Sequence, residues 1–227
     1  MLFMKKTLKT LLISIIVLTP LGTFTSCGSD DDNDNQPDTK YEDYVTPEVE
    51  EVLARFDFPI YEGNTPPNIE GIYYTDQLKV VQSDISWDDH LNKVVGNQKF
   101  SFTNQNQSKR SVEVSSIFTY TLPLYKGITE TTIGQASFIC GSGDSFTILY
   151  HTITGYKTPD NKAYKSKTLQ ICSGTVEKGS DGKNIAIKNL QTIYMIVDDY
   201  GDPYNKLIPE YKARRSVSQD NASRVTE

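Results

Sequence analysis

Apolar residues recur along this chain with two different periods. Val49, Val52, Leu53 and Phe56 fall three and four apart, the spacing that places side chains on one face of a helix. Thr46 precedes them as an N-cap, and Pro47 suits the first helical position. Glu48, Glu50 and Glu51 gather at the positive end of the helix dipole. The pattern predicts a short helix over residues 46–56 that lids or packs on a sheet. Pro59, Gly63, Pro66 and Pro67 then impose an irregular link.

Beyond Ile69 the period drops to two. Gly71-Ile72-Tyr73-Tyr74 opens a strand that runs through Leu78 to Val81, and Lys99-Phe100-Ser101-Phe102 starts another. Val112, Val114, Phe118 and Tyr120 alternate with Glu113, Ser115 and Thr119, as in a half-buried strand, and Pro123 ends the run. Residues 133–140 and 145–154 read as a hairpin around Gly141-Ser142-Gly143-Asp144. Residues 164–176 and 185–197 are joined through Asp181-Gly182, a strong turn signal. The last of these runs changes phase near Asn189-Leu190, which predicts a bulge. Short runs in sequential order, with polar turns and one opening helix, predict an all-β fold. A closed, antiparallel up-and-down barrel of about eight strands is the preferred form, with a sandwich as the alternative.

The formal net charge is −6. With no basic cluster, this argues against nucleic acid and against an anionic membrane surface as partners. Much of the acidity is local. Asp30, Asp31, Asp32, Asp34 and Asp38 lie in a stretch almost free of apolar side chains, which cannot offset its own ordering entropy and reads as a spacer. Ahead of it stand Lys5, Lys6 and Lys9, an apolar run from Leu11 to Leu18 broken only by Ser14, then Pro20 and Gly22. The run is short for a permanent membrane span and has the architecture of a secretory leader.

Phe24-Thr25-Ser26-Cys27 closes that leader and resembles the lipobox of bacterial lipoproteins, in the looser form of Bacteroidetes-type proteins. Phe24 replaces the usual leucine. The resemblance implies acylation of Cys27, which becomes the mature N-terminus. It also implies that Gly28-Ser29-Asp30-Asp31-Asp32 is an acidic signal for display at the cell surface, so the expected location is the outer membrane. The alternative is ordinary leader cleavage with Cys27 an incidental thiol. The expected organisation is a lipoprotein signal peptide at 1–26, a tether at 27–45, a helix at 46–58 and the β domain at 59–227.

A second resemblance is carried by Pro66-Pro67-Asn68-Ile69-Glu70-Gly71-Ile72-Tyr73 and by Tyr194-Met195-Ile196-Val197-Asp198 through Pro209. These segments are similar to the first strand and to the final strand and exit loop of lipocalin-like lipoproteins. The resemblance implies a calycin-type barrel from about Ile69 onward. Lipocalins carry a tryptophan on the first strand with a late arginine packed on it. Here Tyr73 stands in its place, and Arg214 or Arg215 is the candidate arginine.

Candidate chemistry is sparse. Asp88-Asp89-His90, beside Trp87, offers carboxylates and an imidazole, but consecutive residues point apart and a solvated loop is the simpler reading. With His151 the only other histidine, zinc-ligand spacing is absent. Ser142 lacks the first glycine of a nucleophile elbow and sits in a turn. Asp198-Asp199-Tyr200-Gly201-Asp202 does not match a calcium-binding loop. No nucleophile–base pair or metal set points to an enzyme, and the covalent lipid is the only cofactor implied. With Cys27 acylated, Cys140 and Cys172 form an even pair that permits a disulfide, two buried thiols being the alternative.

Fourteen tyrosines supply flat apolar bodies with polar tips, suited to half-wet cavities. Val114, Ser116, Phe118, Tyr120, Phe138 and Tyr150 are the candidate lining of a barrel interior. The function expected is a non-enzymatic binding module for a small apolar or amphipathic ligand or a glycan. The alternative is an accessory protein that docks on an outer-membrane component with its barrel filled. The membrane itself would be a partner only through the lipid.

Overall fold

The computed structural model describes residues 40–123, 126–157, 163–202 and 207–225. The leader, Cys27 and most of the tether lie outside the described residues. The described chain contains one α-helix, α1 (Pro47–Arg55), after a short 3-10 turn (Tyr41–Asp43). Ten strands follow: β1 (Gly71–Ser83), β2 (Val94–Asn106), β3 (Ser111–Tyr120), β4 (Thr129–Ile133), β5 (Gln135–Ser142), β6 (Ser145–Lys157), β7 (Ala163–Lys178), β8 (Asn184–Asp198), β9 (Ala213–Ser218) and β10 (Ala222–Val225).

The helix forms where its caps and apolar spacing place it. Thr46 Oγ1 accepts the Val49 N–H, Pro47 occupies the first turn, and Arg55 stands in the last. Val49, Val52 and Leu53 are buried. At its C-terminal end Arg215 of β9 reaches across, donating to Phe56 O at 2.7 Å and to Gln82 Oε1 at 2.8 Å. A guanidinium on the last carbonyls satisfies an orphan acceptor and opposes the negative end of the dipole.

All strand pairings are antiparallel, in the order β4-β3-β2-β1-β10-β8-β7-β6-β5, with β9 also lying between β1 and β8. Successive strands from β1 to β4 and from β5 to β8 are neighbours, as short turns require. The expected bulge is present: Asn189 has φ 51°, and β8 gains a residue on β7 between the Ser173–Gln191 and Thr175–Lys188 pairs. The expectation that residues 185–197 form the last strand is corrected. β9 and β10 follow, and they insert between β8 and β1.

Two apolar clusters occupy the two faces of the sheet. On one face α1 packs with Phe138, Cys140, Leu149, Leu169, Ile171 and Ile193. The far face carries Tyr73, Phe100, Phe102, Ile139, Phe146, Ile148 and Cys172. The candidate disulfide is overturned by this division. Cys140 and Cys172 are free and buried, one on each face. They sit on β5 and β7 with β6 between them, so roughly two strand spacings of ~4.8 Å separate them, beyond the reach of a disulfide. Burial pushes their thiols up, to about 11 for Cys140 and about 12 for Cys172.

Candidate functional site

The far face changes character along the strands. Near the start of β1 it is packed solid: Tyr73, Phe100, Phe102, Phe146 and Ile187 have no exposed surface. Further along, the cross-strand register lines up polar residues. Thr75 pairs with Gln98, Gln98 with Phe118, and Phe118 with Glu130. On the other side Tyr150 pairs with Gln170, Gln170 with Tyr194, and Tyr194 with Arg214. Directly opposite residues share a face, so these two rows look the same way.

Their hydrogen bonds run in short links. Gln98 Nε2 donates to Ser116 Oγ at 3.1 Å, Tyr120 O–H to Glu130 Oε1 at 3.0 Å, and Tyr150 O–H to Gln170 Oε1 at 3.0 Å. Arg214 grips Asp88 with Nε on Oδ2 and Nη2 on Oδ1, both at 2.8 Å. Burial disfavours the Asp88 charge, but hydrogen bonds from Arg214, Ser83 and the His90 N–H outweigh it and hold the carboxyl at about 2. Burial lifts Glu130 above the usual carboxylate range, against opposing pulls from Tyr120 and Arg214. Tyr150 is raised far by the same desolvation.

Exposure separates the two halves. Phe118, Tyr120, Glu130, Gln170, Thr192 and Tyr194 share the far face with the buried residues above, yet each keeps accessible surface. Solvent therefore reaches this part of the face and not the other.

Of the expected lining, Val114, Ser116, Phe118, Tyr120 and Tyr150 meet on this face. Phe138 does not. The two-residue period of β5 turns it toward α1, with the Arg110 guanidinium 4.7 Å from its ring centre and Tyr41 edge-on at 6.2 Å. Its neighbour Ile139 takes the far face instead. Glu130, Gln170 and Arg214 complete the polar set and were not foreseen. The late arginine is also corrected: the residue over the Tyr73 ring is Arg224 of β10, at 5.8 Å, whereas Arg214 holds Asp88 and Arg215 caps α1.

The other candidates have structural roles. Asp88, Asp89 and His90 do bring three ligand-type atoms within 4.8 Å of one another, but both Asp88 oxygens face Arg214. Burial and the nearby Arg214 lower the His90 pKa and disfavour the imidazolium, against the opposing pull of Asp88 at 3.2 Å and of Asp89. The cluster latches the β1–β2 loop onto β9. Asp198 and Asp199 bring their carboxylates together with that of Glu210. They accept the N–H groups of Tyr200 and Gly201 at 2.7 and 2.8 Å and so fasten their own loop. Ser142 pairs with Ser145 at the β5–β6 turn. His151 lies opposite Ile148 and Tyr150, stacked on Tyr44 at 5.0 Å. No protein-family model matches the chain, and no curated protein or solved structure matches it either.

Proposed function

We propose that this chain is a lipid-anchored outer-membrane lipoprotein whose sheet closes as a lipocalin-like barrel, and that the barrel binds a small amphipathic ligand or glycan without turning it over. Three observations support closure. The edge strands β4 and β5 are consecutive in the chain, separated only by Gly134. Taken as one bent stave, with β9 and β10 as another, they reduce the ten strands to eight in up-and-down order. Backbone bonds then join β3 across the seam: Gly134 N–H to Val114 O and Ile139 N–H to Arg110 O, each 2.8 Å, with Ser137 Oγ linked to Val112. The far-face cluster, finally, has no second layer over it among the described residues and is still buried, as it would be if the sheet curled around it. Arg224 on Tyr73 reproduces the late-arginine contact of the lipocalin resemblance.

The binding reading is carried by the solvent-reachable polar half of an otherwise packed interior. An apolar floor with a few convergent polar groups is the usual form of a small-ligand site. Thr192 lies on the inward face between Cys172 and Ser216 and retains accessible surface. The test uses the full chain carrying Cys27→Ala, which stays unacylated, and uptake of a neutral fluorescent amphiphile. Thr192→Phe should lower affinity by about tenfold or more through loss of volume, with an unchanged circular dichroism spectrum. If the parent takes up no apolar or amphipathic probe and no glycan, the filled-barrel accessory reading replaces this one. That reading would use the outer face of β3 and β4, where Ile117 and Ile133 are 44% and 67% exposed.

A further inference from the structure

The charge inside the polar half is unbalanced. Arg214 is engaged with Asp88 through a two-bond fork, so that pair is neutral as a unit. Glu130 stands apart from it. Among the described residues its carboxylate takes one side-chain hydrogen bond, from Tyr120 O–H, and feels Arg214 only through space. With Glu130 ionised, these three groups carry one positive and two negative charges.

The strand that supplies Glu130 is patterned in reverse. β4 reads Thr-Glu-Thr-Thr-Ile, and its cross-strand register turns Glu130 and Thr132 inward beside Phe118 and Ser116. Ile133 points outward and is exposed. A strand chosen for core packing would do the opposite, because a carboxylate without a full set of partners is costly inside a protein. Burial raises the Glu130 pKa, and the Tyr120 hydrogen bond and the through-space pull of Arg214 oppose that without cancelling it.

We infer that this interior selects amphiphiles with a protonated amine head group over those with a carboxylate, with Glu130 as the counter-ion and Tyr120 orienting it. The inference rests on the binding reading above and names the ligand class for that same site. An ammonium donates three hydrogen bonds and supplies the charge that Glu130 lacks. Phe118 packs edge-on against Tyr120, ring centres 4.7 Å apart, beside the position the head group would take. A fatty-acid carboxylate would meet Glu130 as a like charge and find the Arg214 fork already occupied.

The test is displacement of a neutral dye, N-phenylnaphthylamine, from the unacylated full chain. The competitors share one chain length and differ in the head: dodecylammonium, dodecyl glucoside and dodecanoate. Dodecylammonium should bind at least about tenfold more tightly than dodecanoate, as one charge-assisted hydrogen bond allows. Glu130→Gln should erase that preference while the thermal melt stays cooperative. Asp88→Asn, which frees Arg214, should move the preference toward dodecanoate by an independent route. Equal or tighter binding of dodecanoate or of the glucoside, or a preference that survives Glu130→Gln, overturns this inference and leaves the binding reading standing. If none of the three displaces or replaces the dye, the binding reading has failed and this inference falls with it.

Discussion

Single residues settle questions that the alternation of apolar and polar positions leaves open. Gly96 is one. Read from sequence, this strand starts at Lys99; β2 instead begins at Val94 and runs through Gly96. The glycine is there because the Phe118 ring and the Thr119 carbonyl come over it. A Cβ at this position would lie 2.4 Å from Thr119 O and 2.5 Å from Phe118 Cζ. The nearer obstacle is backbone, so β2 and β3 would have to separate. Gly96→Ala is therefore expected to destabilise the fold by ~1–3 kcal/mol, in the range of overpacked interiors. Chemical denaturation would check this, and a midpoint equal to that of the parent would contradict it. The arginines teach the same lesson. Three of them fall within eleven residues, and sequence alone could not say that Arg214 holds Asp88, Arg215 caps α1 and Arg224 covers Tyr73. Those roles depend on the registers of β9 and β10 against β1.

At the scale of elements, legibility follows burial. α1 matches the run read over residues 46–56 within a residue at each end because its cap, proline and apolar face all agree, while the 46–58 bound of the expected organisation overshoots its C-terminus. β3 and the β5–β6 and β7–β8 hairpins were legible from period-two runs and glycine-rich turns. β4, β9 and β10 were not, because Thr-Glu-Thr-Thr-Ile, Ala-Arg-Arg-Ser-Val-Ser and Ala-Ser-Arg-Val turn polar or small residues inward. The strands that hid from sequence reasoning are thus the ones that bring Glu130 and Arg214 to the site. Docking of the N-terminal segment on β6 gives a pH-dependent element. The His151 ring stacks on Tyr44, and burial followed by the nearby Lys167 lowers its pKa. In the unfolded chain it titrates near ~6.5. Below that value the unfolded state binds the proton first, so stability falls with pH until the folded value is passed. His90 is lowered too and adds in the same direction. The slope from His151 should stay below the ~1.4 kcal/mol per pH unit of one whole proton. His151→Phe keeps an aromatic ring on Tyr44 and removes the titration. Its denaturation midpoint should fall less than the parent's between neutral pH and mild acid, and parallel curves would rule His151 out as a source of the slope.

For the whole molecule, the sequence speaks most clearly where the described structure does not reach. The β-rich class followed from runs and turns over most of residues 69–225, and the ten antiparallel strands agree with it. The polar half of the far face could not be foreseen, because it is assembled from strands between β1 and β9, with partners as far apart as Asp88 and Arg214, 126 positions. The lipobox resemblance is the reverse case, a local signal that depends on no tertiary contact. Between Cys27 and the first described residue, Lys40, lie one glycine, one proline and otherwise only polar and acidic residues. No helix among the described residues is long and apolar enough to cross a membrane. The lipidation and surface-display signals that the resemblance implies make separate predictions. Cys27→Ala should move the protein from the membrane fraction to the soluble fraction and remove metabolic fatty-acid labelling. Replacing Asp30, Asp31, Asp32 and Asp34 by alanine should leave the labelling and the membrane fractionation intact while protecting the domain from protease added to whole cells. A Cys27→Ala protein that still sediments with membranes would refute the lipid anchor. An alanine-substituted spacer that is still cleaved from outside would show that the acidic run serves as spacer alone.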